Sequence, residues 1–564
     1  MTFVNTIRNS CRSLNAVGII LKSNRPAERR GIISNGVKRN VRDKLHKETF
    51  LGNEKRDLLF LLCLALGIRI LVYKLTYLIS LDGIGVYIPM ANHFASGRWM
   101  EGLAVGFHPM YPLLVAFFSK ILGDLEFSGQ MVSVLFGTLT VIPIFYLARG
   151  VGNGRAYFLS SLFLAILPHH VQLSADLLSD TTYTFFFISA IWLGWEALKT
   201  EDWKMFLLAG FATGLAYLDR GEGIGALLVL SVWVPFRKSN FPYWRKGIAL
   251  LALLISFILI TSPYIFYLRS YTGTWTISRK PAINRVVVLI KEKLFFQKRE
   301  DKRIKEFDHF IQKLQQEGNK SGSGLAKWLK VTGSFLKFFV TTCHPLLFLF
   351  FIVGLTKRRV MPSWRGEGFL ISNLILYAPI LFWLASSSYI SHRYFVPFVV
   401  LCLVWSGRGL IEVLLWLQEE ISSKRWKKIC FLESRGLLSL TLITVLAVLP
   451  FTIHPQGTGK IGRKEAGLWI KNNSPSQPSI YTNMVRVNYY AGGKLIFLKE
   501  EAVSYAELIR RAEKEGADFL VISDKSIEDI CPDFSELRRP EDLKEVFRAS
   551  GGKETVIVYR VREK

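Results

Sequence analysis

Long apolar runs constrain this chain more than any other feature. A helix needs about twenty apolar residues to cross a bilayer, and it must satisfy its backbone hydrogen bonds internally. Candidate runs start near residues 58, 109, 128, 156, 181, 205, 223, 247, 334, 368, 394 and 436. Because 50% of the 564 residues are of the hydrophobic types, the pattern predicts a polytopic α-helical membrane protein.

The basic residues follow this membrane pattern. The formal charge is +28 at pH 7, but the charges lie in short loops between apolar runs and in polar segments, where topology and lipid headgroups explain them. A basic, aromatic-interleaved module is missing from the sequence, which argues against nucleic acid as a partner. Residues 1–56 are polar and basic, and we predict a disordered cytoplasmic tail. The six cysteines lack CxxC spacing and predict neither a disulfide framework nor a zinc site.

Loop charge predicts which runs cross the bilayer. The basic loops expected to face the cytoplasm are residues 148–155, 237–246, 356–365 and 422–435. This topology requires one run between residues 82 and 149 not to cross. The run after His108 is short and contains two prolines and Lys120, so we predict an interfacial helix there. About eleven spans remain, with outer loops 80–127 and 269–333 and the C-terminus outside.

This topology places four groups of polar residues at the outer ends of spans. The groups are Asp82 with His108, Asp176 with Asp180, Asp219 with Arg220 and Glu222, and His392 with Arg393 and Tyr394. Each group alone is compatible with a capped or snorkelling helix end. Their convergence from separate spans on one membrane face favours a functional site.

The residue types indicate a chemistry. Asp82 could act as a general base toward a hydroxyl, or cap a helix that starts near Gly85. If the span that starts near residue 181 extends back to them, Asp176 and Asp180 would share a helix face and meet a cation, an arginine or sugar hydroxyls; otherwise Asp180 would be a helix N-cap. Arg220 and Arg393 suit two-point phosphate binding, or snorkelling to lipid phosphates. Carboxylates near His108 could also bind a divalent metal ion as a cofactor, or simply bind the substrate.

Five motifs resemble those of the GT-C superfamily of polyprenyl-phosphate-sugar-dependent glycosyltransferases, in the branch of protein O-mannosyltransferases and the lipid A aminoarabinose transferase. The resemblance covers about residues 57–410. The matching elements are Asp82 with Tyr87, Gly97 and Trp99, then "HPMYPLL" (108–114), "LSADLLSD" (173–180), "LDRGEG" (218–223) and "HRYFVPFVVL" (392–401). Met110 and Gly221 replace prolines of the family pattern, and Gly83 stands where the O-mannosyltransferases have glutamate.

The resemblance implies roles for individual residues. Asp82 would be the catalytic base, Asp180 or Asp176 a second active-site acid, and Arg393 a contact to the donor phosphate. Tyr87, His108, Arg220, Glu222 and Tyr394 would bind substrate. His108 stands where the family has lysine, so the charge there would depend on pH.

Residues 456–564 differ from the membrane domain at 57–455. Short apolar runs "PSIYT", "KLIFL", "DFLVIS" and "TVIVYRV" alternate with helical segments such as "YAELIRRAEKEG", which predicts a small extracytoplasmic α/β domain. We expect this domain to cap the membrane domain or recognise the acceptor.

We therefore expect a multi-pass membrane glycosyltransferase, in a bacterial inner membrane, that moves a sugar from a polyprenyl-phosphate donor to an extracytoplasmic acceptor with inversion. The alternative is a transporter or flippase of lipid-linked saccharides. A transporter should bury its charges near mid-membrane and often has internal repeats, whereas the charges here lie at span ends and the sequence shows no repeat. A non-catalytic relative with the same fold stays a third possibility.

Overall fold

The structure, a computed structural model, describes residues 52–151, 155–237, 242–279, 324–357, 364–386, 390–423, 431–474, 477–498, 503–537 and 542–561. The predicted tail therefore falls outside the described residues up to position 51. The charged part of loop 269–333, from 280 to 323, also lies outside them, as do parts of the four basic loops.

The helical domain begins with α1 and ends with α17. Its helices are α1 Glu54–Lys74, α2 Ile88–Ala95, α3 Trp99–Ala104, α4 Met110–Leu122, α5 Leu125–Leu139, α6 Val141–Val151, α7 Ala156–Ile166, α8 Pro168–Ser174, α9 Asp180–Thr200, α10 Trp203–Asp219, α11 Ile224–Phe236, α12 Tyr243–Thr272, α13 Gly324–Cys343, α14 Pro345–Thr356, α15 Trp364–Ser386, α16 His392–Ser423 and α17 Phe431–Thr452. A single large apolar cluster joins most of these helices.

Membrane-spanning potential is clearest in four of these segments. By length and composition, the segments Leu125–Val151, Tyr243–Thr272, Arg365–Ser386 and His392–Gln418 could each cross a bilayer. If each of two bent helix pairs is counted as one span, the number within the described residues rises to six. The architecture confirms a polytopic helical membrane protein, while the count of about eleven spans stays a prediction.

Two predicted spans are broken. The helices α7 and α8 meet at an angle of 55°, and the run predicted from residue 334 bends by 102° between α13 and α14. Both breaks occur immediately before a proline at the start of the second helix, where proline has no amide hydrogen to donate. The residue before Pro345 is His344, which has a positive φ of 71°.

The first long loop is helical, as the sequence predicts. A π-helical turn, Gly83–Tyr87, leads into α2, and α3 and α4 follow. The apolar sides of α2 and α4 meet in a core that includes Tyr87, Met90, Tyr111 and Val115. The segment that carries Asp82 therefore rests on a packed base rather than on a free loop.

A close helix crossing holds α14 against α16. A Cβ atom added at Gly354 would overlap the carbonyl oxygen of Trp405, and one added at Gly409 would overlap that of Phe350. Small residues of this kind let two backbones approach, as in many membrane helix pairs. At the same crossing Arg408 donates to the Gly354 carbonyl and pairs with Glu367 of α15, so one buried guanidinium joins three helices.

The C-terminal domain is α/β, as predicted. Its elements are α18 Ile461–Asn473, β1 Ser479–Thr482, α19 Val485–Ala491, β2 Lys494–Phe497, α20 Tyr505–Lys514, β3 Phe519–Ser523, α21 Asp524–Ile530, α22 Phe534–Leu537, β4 Leu543–Ala549 and β5 Val556–Val561. The strand order is β2-β1-β3-β5-β4. Strands β2, β1 and β3 are parallel, and β5 pairs antiparallel with both β3 and β4. Sequence patterning misses β4, because "LKEVFRA" is only weakly apolar.

We predict that Gly409→Ala destabilises the protein. The added methyl group must displace the α14 backbone, and overpacking of this kind costs about 1–3 kcal/mol. The measurement is the melting temperature of the purified protein in detergent. Gly247→Ala is the matched control, because the space around Gly247 is open and alanine favours helix at such a position. Equal melting temperatures for the two variants would contradict the proposed close crossing.

Candidate active site

A buried carboxylate, Asp180, joins two arginines from distant segments. Asp180 is 1% exposed and begins α9. The Nη1 of Arg220 donates to its Oδ1 at 2.5 Å, and the Nε and Nη2 of Arg393 lie 3.1 and 3.0 Å from its Oδ2. Charge-assisted bonds of this kind offset the high cost of burying an ion. Asp180 is thus neither a helix cap nor exposed, and the arginines do not snorkel.

Asp82 shares one of these arginines but is accessible. The Nη1 of Arg393 donates to its Oδ2 at 2.7 Å, while the Asp82 side chain is 41% exposed. Asp82 precedes the turn Gly83–Tyr87, yet its side chain makes no capping hydrogen bond to the amides of that turn. The position therefore holds a carboxylate that an incoming hydroxyl can approach.

Aromatic rings and a further carboxylate surround Arg220. Its guanidinium lies 5.1 Å from the ring centroid of Tyr394 and 5.5 Å from that of Tyr183, within the range of cation–π attraction. Glu222 contributes an oxygen 3.8 Å from its Nε. Arg220 is buried, so the structure places it as the counter-ion of Asp180 more than as a free phosphate-binding group.

Of the remaining predicted residues, Tyr87 contacts this network, whereas His108 contacts other residues. The hydroxyl of Tyr87 shares a hydrogen bond of 2.8 Å with Ser179, the neighbour of Asp180, and burial raises the pKa of Tyr87. His108 is buried beside the rings of Tyr217 and Tyr264.

Asp176 holds the segment that leads to Asp82. Its Oδ1 accepts the amide hydrogens of Ser80 at 2.9 Å and Leu177 at 2.7 Å. Ser80 in turn accepts the amide hydrogen of Gly83 at 3.1 Å. Burial raises the pKa of Asp176 from 3.8 to about 6, while the two amides, and then Arg393 and Arg486, lower it. The structure therefore places Asp176 as a residue that positions the Asp82 segment.

The C-terminal domain also holds this segment. Gln456 pairs with the backbone of Leu75 and Tyr77, and the Nε of Arg486, in α19, donates to the Ile79 carbonyl at 3.1 Å. Burial and the neighbouring Arg463 lower the pKa of Arg486, and Asp176 raises it. Residues 75–83 are thus fixed by both domains.

A cavity of about 180 Å³ adjoins this network. Arg393, Asp176, His169, His392, Gln172 and Gln456 contribute to its lining. The rings of His169 and His392 stack with centroids 4.2 Å apart. Among the described residues, no group of three His, Cys, Asp or Glu side chains is arranged to hold a metal ion, and the Asp180 oxygens are already paired with arginines.

Sequence reasoning missed three contributors. Ser179 and Ser80 are small polar residues whose sequence gives no sign of their partners, and Arg486 belongs to a domain that shows no catalytic motif. Proximity to Asp180 and Asp82 gave a weak local signal for the serines. Arg486 contacts residues about 400 positions away, and no sequence pattern could have placed it there.

Comparisons with known proteins agree with this architecture. Residues 108–267 match the sequence profile of the dolichyl-phosphate-mannose-protein mannosyltransferase family, a segment that includes Asp176, Asp180 and Arg220 but not Asp82. No curated protein sequence matches the chain significantly.

Two solved structures of ArnT from Cupriavidus metallidurans share the fold. The apo form aligns with a TM-score of 0.54 at 16% identity, covering 89% of this chain and 97% of ArnT. The form bound to undecaprenyl phosphate aligns with a TM-score of 0.53 at 16% identity, covering 90% and 98%. The apo oligosaccharyltransferase of Archaeoglobus fulgidus is also similar, with a TM-score of 0.49, 13% identity and coverage of 90% and 74%.

We predict that Arg486→Ala loosens the Asp82 segment without unfolding the protein. Loss of a charge-assisted bond worth about 1.5–3 kcal/mol should raise amide hydrogen exchange in residues 78–84 about tenfold or more. Mass-spectrometric exchange on the full chain measures this, and Arg486→Lys should recover part of the protection. Arg560→Ala is the control, because Arg560 contacts Phe519 within the C-terminal sheet. Unchanged exchange in Arg486→Ala would show that this arginine does not hold the segment.

We also predict a pH-dependent stability difference at Asp176. Because folding raises the pKa of this carboxyl from 3.8 to about 6, its ionised form destabilises the fold, and this penalty appears as pH rises through 6. Asp176→Asn keeps an acceptor oxygen without the charge, so it should melt at a higher temperature than wild type at pH 7.5. The gap should shrink as pH falls from 6 to 4. Asp202→Asn, at an exposed helix cap, should have the melting temperature of the wild type at every pH. A melting-temperature difference for Asp176→Asn that does not change with pH would contradict the raised pKa of Asp176.

Proposed function

The chain has the GT-C fold of membrane glycosyltransferases, and from this premise we propose that it transfers a sugar from a polyprenyl-phosphate donor to an acceptor outside the cytoplasm. The observation that carries the proposal is the exposed carboxylate of Asp82, paired with Arg393 at the edge of a buried ionic network. The ArnT structure with undecaprenyl phosphate supports the class of donor.

The proposed step is a single displacement. The acceptor hydroxyl gives its proton to Asp82, and its oxygen forms a bond to the anomeric carbon. The bond between that carbon and the phosphate oxygen breaks, and the electron pair leaves with the lipid phosphate. Attack from the face opposite the leaving group inverts the anomeric configuration. Asp82 supplies general-base catalysis, a contribution of about 10²–10⁴ in rate.

Arg393 couples the protonation of Asp82 to the stabilisation of negative charge on the leaving phosphate. While Asp82 is ionised, the guanidinium is divided between Asp82 and Asp180. Protonation of Asp82 removes one of its two anionic partners, so the positive charge becomes available to the phosphate as negative charge develops there. This role agrees with the donor-phosphate contact that the family resemblance implies for Arg393.

The transporter alternative has one favourable observation. Two broken helices occur, and discontinuous helices are typical of transporter sites. However, Asp82, Asp180, Arg220 and Arg393 lie at helix ends rather than at a break. The buried Arg69 near the α7–α8 bend donates to Ser174 and to the Ala65 carbonyl, which accounts for it as a tie between helices. The transferase proposal therefore explains more of the site.

We predict that Asp82→Asn blocks donor consumption. Cells that carry the variant at matched expression should accumulate one polyprenyl-phosphate monosaccharide, because the base that activates the acceptor is lost. Mass spectrometry of lipid extracts measures the pool, and the mass identifies the sugar class. Glu101→Gln is the control, since Glu101 lies in the same outer loop, is 56% exposed and pairs with Arg98 and His93. If Asp82→Asn inserts normally and leaves every such pool unchanged, the transferase proposal fails.

A further inference from the structure

A second cavity, of about 350 Å³, lies where the two domains meet. The end of α1 contributes Tyr73 and Lys74, the start of α5 contributes Asp124, Glu126 and Phe127, and α18 contributes Lys464. Its volume lies near the lower end of the range of about 300–1,000 Å³ for small-molecule sites. None of the residues predicted to be catalytic or to bind substrate belongs to this lining.

The charges in the cavity balance and are held in place. Lys74 and Lys464 face Asp124 and Glu126, so the four formal charges cancel. The Nζ of Lys464 donates to the Tyr77 carbonyl at 3.3 Å, and the hydroxyl of Tyr490 donates to Glu126 at 3.3 Å. Asp124 accepts the Phe127 amide hydrogen at 2.6 Å. A ligand without net charge, but with many donors and acceptors, matches such a surface best.

Aromatic rings provide the rest of the surface. The rings of Tyr73 and Phe127 lie 6.1 Å apart at an angle of 56°, and both line the cavity. A sugar ring has hydroxyl groups that both donate and accept, and apolar C–H faces that pack on aromatic rings. Carboxylates, ammonium groups and aromatic rings in one small cavity therefore favour a mono- or disaccharide over an anion or an acyl chain.

The cavity lies close to the proposed reaction. Thr76 and Leu78 line both this cavity and the smaller one that contains Arg393. Ile79, also in the lining, precedes Asp82 by three residues, so their Cα atoms are at most about 11 Å apart. A saccharide bound here would therefore lie beside the segment that carries Asp82.

We propose that this cavity binds the saccharide part of the acceptor, with the C-terminal domain supplying one wall through Lys464. The identification as acceptor rests on the proposed transferase function, whereas saccharide binding does not. A zwitterionic lipid headgroup is the competing ligand, because it too has balanced charges. The two aromatic rings in the lining, those of Tyr73 and Phe127, favour the sugar.

Saturation-transfer NMR on the purified full chain in detergent tests the proposal. The probes are methyl α-mannopyranoside, methyl α-glucopyranoside and glycerophosphoethanolamine. We expect saturation transfer to at least one glycoside in the wild type, and a loss of about twofold to tenfold in Phe127→Ala, since an aromatic contact contributes about 0.5–1.5 kcal/mol. Phe117→Ala is the matched control, because Phe117 is 63% exposed and lies outside the cavity. Glu126→Gln, which changes one hydrogen-bonding oxygen, is a milder second variant if Phe127→Ala unfolds.

Other outcomes overturn the proposal. If saturation transfer to a glycoside persists in both Phe127→Ala and Glu126→Gln but disappears in Asp82→Asn, the sugar binds in the proposed catalytic site instead. Saturation transfer to glycerophosphoethanolamine alone would show that the cavity binds a lipid headgroup. Saturation transfer to none of the probes would show that the cavity does not bind a saccharide. The NMR assay measures binding and does not depend on catalysis. If the glycoside binds in the cavity but Asp82→Asn cells accumulate no lipid-linked sugar, the transferase proposal fails while the saccharide site stands.

Discussion

The buried carboxylate of Asp180 is the charge around which the site is built. An ion that is 1% exposed would cost several kcal/mol if it were unpaired, so the fold must bring cations to it. Arg220 comes from the turn between α10 and α11, and Arg393 from the first turn of α16. One desolvated charge therefore fixes the relative positions of helix ends that are separated by more than two hundred residues. An arginine is needed at position 393 because its planar fork reaches two carboxylates at once, which a lysine ammonium does less well.

The two carboxylates that Arg393 contacts differ in exposure and in their other partners. Asp180 is enclosed and also bound by Arg220, whereas Asp82 is 41% exposed and shares only Arg393 among the interactions described above. An enclosed carboxylate cannot meet a substrate hydroxyl without opening the helix bundle. The exposed one needs no such movement, and Asp176 and Arg486 hold its segment against both domains. The geometry thus separates an enclosed anion from an accessible one, although both have the same side chain.

Sequence reasoning reached the helical membrane architecture and the α/β C-terminal domain, because apolar run length and strand alternation are local properties. It also named Asp82, Asp180, Arg220 and Arg393, which lie at polar breaks between apolar runs. It could not tell which carboxylate would be enclosed, since burial depends on how α9, α10 and α16 pack. The bend before Pro345 was missed because the apolar pattern continues through it. The bond from Arg486 to Ile79 joins two domains, and no local pattern contains such information.

Charge balance limits how a phosphate could enter this site. Asp82, Asp180 and Glu222 carry three formal negative charges near the two positive charges of Arg220 and Arg393. A lipid phosphate placed beside them would add to an existing negative excess, which is unfavourable at short range. The excess falls by one charge when Asp82 accepts a proton, which is also the moment when the leaving phosphate gains charge in the proposed displacement. The site would therefore stabilise the transition state more than the bound donor, and this difference is what accelerates a reaction.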